Sequence, residues 1–268
     1  MKTQNRLTGI FKPPELTYRV WKVWRRNFDV FMKTWKVNFF PPLLEPIFYL
    51  VALGFGLGQF VTPMEGLPSY IQFIAPALVA ITAMNSSFFE CTYGSFVRMY
   101  YQKTFDGIIA TPINIEEVIA GELLWGATRS LISASIVLAV IAAFGLISSP
   151  LAILILAVAF LAGLMFSAMG MCFTSLAPNI DFFNYPGFLF ITPMFLLSGT
   201  FFSLSDYPAA LQIFAKAVLP LTQSVNLSRG LMLGRLDASL LASIAWMAIV
   251  TPVFFVICIN AMKRKLIK

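Results

Sequence analysis

Residues 151–176 read LAILILAVAFLAGLMFSAMGMCFTSL, without one charged side chain. Crossing a hydrocarbon core takes about 20 helical residues, so this stretch is long and apolar enough to span a bilayer. Five more of the same kind flank it, at approximately 37–59, 70–92, 120–146, 182–202 and 239–261. A backbone in lipid must satisfy its own hydrogen bonds. The expected fold is therefore all-α: a polytopic membrane protein with six transmembrane helices. Composition agrees, since the 268 residues are 59% hydrophobic and 12% charged, about half the ~25% charge of a soluble domain.

Between the fifth and sixth stretches lies a shorter apolar piece, Ala209 to Leu221, bounded by Pro208 and Pro220. It is too short to span and reads as re-entrant or interfacial. Lysine and arginine placement sets the orientation. Nine fall in residues 1–36, Arg98 and Lys103 follow the second span, and Lys263, Arg264, Lys265 and Lys268 form the tail. Those belong on the cytoplasmic side, whereas Lys216, Arg229 and Arg235 lie opposite and Arg129 snorkels from the third span. Both termini are thus expected to be cytoplasmic. The chain divides into a cytoplasmic segment (1–36), a six-helix transmembrane domain (37–262) and a basic tail (263–268). No cleavable signal peptide is expected, because more than thirty polar and basic residues precede the first apolar run.

The net charge of +7 comes from basic residues flanking apolar runs, so it points to membrane rather than nucleic acid. The absence of histidine removes the commonest general base and metal ligand. Cys91, Cys172 and Cys258 are isolated and sit in apolar runs, which indicates neither a disulfide framework nor a metal site. No catalytic or metal-binding constellation is expected. No GxxxxGK[ST] loop is present, so the chain is not expected to hydrolyse ATP alone.

Before the first span, Leu16, Val20, Trp24, Phe28, Phe31 and Trp35 recur at helical spacing, with Arg19, Lys22, Arg26 and Lys33 on the opposite face. Pro13 and Pro14 mark a helix start. Aromatic rings with basic stems suit the headgroup layer of the membrane lipid; packing on a partner subunit is the alternative. After the second span, Tyr101, Phe105, Ile108 and Ile109 share a face, Thr111-Pro112 stop the helix, and Asn114 with Glu117 forms a capping-box pair opening the third span. Such a short amphipathic helix either docks in a partner's groove or rests on the bilayer as a connector.

Acidic residues Glu45, Glu90 and Glu122 fall near or within spans, where an ionisable group is a functional hypothesis. Proton coupling is one reading. The milder one pairs Glu90 and Glu122 with Arg98 or Arg129, and lets Glu45 accept backbone N–H groups freed by Pro42 and Pro46. Gly54, Gly56 and Gly58 lie inside a span, so Gly54 to Gly58 reads as a small-residue packing surface, as do Gly163, Ser167 and Gly170. The aromatic pairs Phe39 and Phe40, Phe88 and Phe89, and Phe182 and Phe183 either form lipid-facing belt and core or line a substrate path.

Two stretches carry a family resemblance: Thr104-Phe105-Asp106-Gly107-Ile108-Ile109-Ala110-Thr111-Pro112-Ile113 with Glu117 and Gly121, and Leu197-Ser198-Gly199-Thr200-Phe201-Phe202 with Pro208, Leu219-Pro220-Leu221-Thr222-Gln223 and Arg229. Together they resemble the membrane subunits of ABC-2 class exporters over nearly the whole chain. Glu45-Pro46 and Gly54 to Gly58 look most like permeases of nodulation-factor type, which export lipo-oligosaccharides, although members often carry histidine where Gln223 stands. The resemblance implies a coupling helix at 99–110, an interfacial helix at 13–35 and a re-entrant external hairpin at 205–226. It also implies a bacterial inner-membrane dimer of this chain with two ABC ATPase subunits, which bind the ATP and Mg. Phe105, Ile108 and Ile109 are then expected to anchor in the ATPase groove, with Lys103 and Asp106 as polar rim and Arg98 or Glu117 pinning the helix ends. On that expectation Phe105→Asp abolishes transport and leaves the chain folded. The rivals are a drug-exporting permease of the same class, a proton-coupled transporter using Glu45 or Glu90, and a membrane enzyme acting on lipid.

Overall fold

The computed structural model describes residues 14–58 and 69–267, with only the backbone of Phe55 and Leu57. Pro13 and the expected end of the first span at residue 59 lie outside the described residues. Six helices are long and apolar enough to cross a membrane, and no strand occurs among the described residues. In order they are α1 (Val20–Val51), α2 (Tyr70–Tyr101), α4 (Ile115–Ala143), α5 (Pro150–Leu176), α6 (Ile180–Leu197) and α9 (Ala238–Leu266). Between them lie the short α3 (Thr104–Ile109) and the pair α7 (Ala209–Val218) and α8 (Pro220–Leu233).

The core is the mutual packing of α2, α4 and α5, with α1 laid against α4 and α9 against α5. Small residues permit the close approach. A Cβ added at Gly163 of α5 meets Ser130 Cβ of α4 at 2.5 Å, and one at Gly126 of α4 meets Ser167 Oγ at 2.1 Å. The expected packing surface of Gly163, Ser167 and Gly170 is therefore real, with Gly170 against the Phe88 carbonyl of α2. Gly163→Leu is expected to wedge α4 from α5 and destabilise by about 1–3 kcal/mol or more. An unchanged thermal midpoint of the purified variant in detergent contradicts that packing role.

α1 runs through Pro41, Pro42 and Pro46 as one helix, so no break separates an interfacial segment from the first span. Its N-terminal half packs on α4, with Val23 over Gly121 and the Trp24 indole donating to Thr128 Oγ1 at 2.8 Å. Phe28 and Phe31 meet Trp125 edge-on, whereas Trp21 and Trp35 are exposed. The first turn of α4 carries the expected capping box, the Asn114 N–H donating to Glu117 Oε2 at 2.9 Å.

α8 was not expected as a separate helix. Proline at its first position and Gly234 at φ 70° just past its end bracket it, the usual asymmetry of helix termini. Its side chains Thr222, Gln223, Ser224 and Ser228 are buried among α2, α5 and α9.

Candidate functional site: a buried charge cluster at the root of a short helix

The last turns of α2 are π-helical at Glu90–Gly94 and again at Val97–Tyr101. Such turns are rare and concentrate at functional sites. Here they bring Glu90 and Arg98 onto one side. Arg98 Nη1 donates to Glu90 Oε1 at 2.8 Å, and its Nη2 and Nε donate to Glu122 Oε2 of α4 at 2.6 and 2.9 Å. Glu122, fully buried, also accepts from Ser95 Oγ and from Asn27 Nδ2 of α1, both at 2.7 Å. Glu90 accepts from the Trp125 indole at 3.0 Å and pairs with Arg129 Nε at 3.5 Å. The milder reading of these acids therefore holds: both are paired. Arg129 does not snorkel free but closes the cluster, with its guanidinium 5.0 Å from the centre of the Phe31 ring.

The network continues outward. Arg26 of α1 donates to Asn27 Oδ1 at 2.8 Å and reaches Thr104 Oγ1, the first residue of α3, at 3.4 Å. Three arginines thus face two carboxylates, leaving one positive charge in excess, and an open cavity of about 370 Å³ lies against them. A polar network of this kind, with Arg129 Nε bound by charge alone and without a hydrogen-bond partner, holds its members in one arrangement. It ties α1, α2 and α4 together at the point where α3 departs. Lys103, between α2 and α3, adopts a left-handed φ of 54°, which costs a non-glycine residue about 1–2 kcal/mol. Such strain persists where the surroundings fix it.

Where the expected site residues fall requires correction. Phe105 is fully buried in this chain, in a cluster with Met99, Val118, Ile119, Ile259 and Met262. Ile108 and Ile109 pack partly against the same cluster. The apolar face of α3 is thus covered by the chain's own helices, and Phe105 is not free to anchor in a partner. What α3 presents outward is Lys103, Asp106 and Gly107, next to Tyr101, itself 65% exposed. Phe88 and Phe183 are likewise core residues, each 1% exposed, and do not line a path in this fold. Phe39, Phe40 and Phe89 are exposed, and Phe182 is half-buried.

The basic tail is also engaged in contacts with the bundle. Lys263 pairs with Glu116 at the start of α4. Lys265 donates to the carbonyls of Thr174 and Ala177 at 2.9 and 2.6 Å, satisfying the C-terminal end of α5, where a cation also suits the helix dipole. Both contacts lie beside the α3 cluster, and the only signal for them was basic residues at the end of a helix.

These features define a class: a polytopic helical membrane protein in which Glu90, Glu122, Arg98 and Arg129 are mutually paired at the root of a small peripheral helix. The profile of the ABC-2 type transporter family matches residues 18–233, and the chain belongs to that family. It is similar to Nodulation protein J of Sinorhizobium fredii, 34% identical over 245 residues that cover 91% of this chain and 93% of that one. Nodulation protein J of Bradyrhizobium diazoefficiens is 38% identical over 222 residues, covering 83% and 84%. The inner membrane transport permease YadH of Escherichia coli is 23% identical over 242 residues, covering 90% and 93%.

Proposed function

We propose that two copies of this chain form the membrane path of an ATP-driven exporter that moves an amphipathic substrate, a lipo-oligosaccharide or related glycolipid, out of the cytoplasm or inner leaflet. ATP and Mg belong to a separate ATPase subunit, two copies of which bind the exposed face of α3. Both termini lie in the cytoplasm of a bacterial cell, α7 and α8 form a re-entrant hairpin at the outer side, and the N-terminal half of α1 sits at headgroup depth. Similarity to the Nodulation protein J sequences supports the substrate class, and the basic residues at both termini support the orientation.

The observation that carries the reading is the junction at α3. A helix exposing Lys103, Asp106 and Gly107 is rooted through Arg26 and Thr104 in a charge cluster shared by three helices. A push on α3 is thereby delivered to α1, α2 and α4 as rigid bodies, the kind of small shift that a packed bundle amplifies. The paired state of Glu90 and Glu122 leaves neither as a free proton carrier, so a proton-driven mechanism would rest on Glu45 of α1 alone.

The test is affinity purification of the tagged chain from membranes in mild detergent. An ATPase is expected to co-purify and to be lost, tenfold or more, in Asp106→Arg with Lys103→Glu, while the chain accumulates normally, since both side chains are exposed. Transport that survives ATP depletion, or an ATPase retained by the double variant, sinks the reading.

A further inference from the structure

A second cavity, of about 350 Å³, lies between the α7–α8 pair and the start of α9. It sits near Phe73, at the opposite end of α2 from Glu90, and the seventeen residues between them correspond to about 25 Å of helix. Its wall holds Ser198, Thr222, Asn226, Arg229 and Trp246. Ser198 and Thr222 are 1% and 3% exposed, and the hydroxyl oxygen of each is buried without a hydrogen-bond partner, as is Arg229 Nε. Buried polar atoms are almost always paired, so three unpaired ones around one cavity point to a ligand.

The remaining groups define its chemistry. Trp246 is held by donation from its indole N–H to the Ala217 carbonyl at 3.0 Å, giving the cavity a fixed aromatic wall. Asn226 donates to Ser243 Oγ at 2.9 Å, which fixes the amide at the rim. Among the described residues of the lining, Lys216 and Arg229 are the only charged side chains and none is a carboxylate. Arg229 offers no fork for a phosphate. Its Nη2 is committed to the carbonyls of Gly199 and Phe73, at 2.9 and 3.2 Å, and its guanidinium stacks 3.8 Å from the centre of the Phe73 ring. An aromatic wall, hydroxyls, amides and an excess of donors suit a ring with an apolar face and many hydroxyl and carbonyl oxygens. The volume is at the lower end of small-ligand sites, enough for one or two such rings.

We propose that this cavity is a saccharide-binding site that holds one or two sugar rings of an exported glycan at the hairpin end of the bundle. The proposal rests on the export reading only for the origin of the glycan.

The test uses the purified full chain in lipid nanodiscs, titrated calorimetrically with maltotriose, chitotriose and trigalacturonate as neutral, N-acetylated and acidic probes. Saturable binding of at least one is expected, weakened tenfold or more by Thr222→Val and by Trp246→Leu. The thermal midpoint of Thr222→Val should be no lower than that of the parent, because an unpaired hydroxyl loses nothing on replacement by a methyl. Failure of all three sugars to bind, binding indifferent to both substitutions, or a lowered midpoint for Thr222→Val overturns the site. Co-purification of an ATPase is scored on the same preparations. An ATPase-bearing chain that ignores sugars overturns this site alone, and a sugar-binding chain without an ATPase overturns only the export reading.

Discussion

Arg98→Leu is expected to destabilise the chain by about 3–5 kcal/mol, the cost of leaving a buried charge without its partner. Among the described residues Arg98 is the one cation that contacts both Glu90 and Glu122, and Glu122 has no exposed surface through which water could replace it. The hydrogen bonds from Ser95 and Asn27 remain, but neither carries charge. For a chain of this size each kcal/mol corresponds to roughly 2–4 °C, so the thermal midpoint in detergent should fall by about 10 °C. Arg98→Lys recovers only part, since an ammonium cannot fork between two carboxylates. The informative control is the triple variant Arg98→Leu, Glu90→Leu, Glu122→Leu. Replacing a whole buried ion cluster by apolar side chains is often neutral or stabilising, so its midpoint should return toward the parent's. If the cluster links α3 to the spans, the triple variant will be stable and will still recruit the ATPase, yet transport poorly. A triple variant with full transport shows the charges to be structural only.

Much of this cluster was legible in the sequence, and the reason is physical. Charges are too costly in lipid to stand alone, so Glu90, Glu122, Arg98 and Arg129 had to find one another once the spans were placed. What could not be read was the geometry, because nothing in the residues 90–101 announces two π-helical segments, and Asn27 and Arg26 joined from a helix expected to face headgroups. The six spans and the Asn114–Glu117 cap were legible for similar reasons: lipid enforces length, and a helix start enforces its own chemistry. α8 escaped because its buried face is polar, Thr222, Gln223, Ser224 and Ser228, and a search for apolar periodicity passes over it. Its Pro220 and Gly234 brackets were there to be used.

Phe105 shows the other limit. Helical spacing of Tyr101, Phe105, Ile108 and Ile109 correctly announced an amphipathic helix, but periodicity identifies an apolar face without saying what covers it. The bundle covers it. Phe105 is buried in one cluster with Val118 and Ile119 of α4 and Ile259 and Met262 of α9, while Tyr101 is exposed. Phe105→Asp therefore does not test docking. Deleting a buried phenylalanine costs about 3–5 kcal/mol, and placing a carboxylate in the same site adds the burial of an unpaired charge. The variant is expected to accumulate poorly, or to be purified with α3 detached and cleavable by protease between residues 102 and 113. Phe105→Leu keeps the apolar contact and should retain most of the thermal midpoint and all ATPase recruitment. The exposed pair separates the two effects: Asp106→Arg with Lys103→Glu should leave proteolysis and the midpoint unchanged while losing the ATPase. Should Phe105→Asp instead fold with the parent's midpoint and lose only the ATPase, then α3 must swing out to meet its partner, and the docked face would be the one this fold keeps covered.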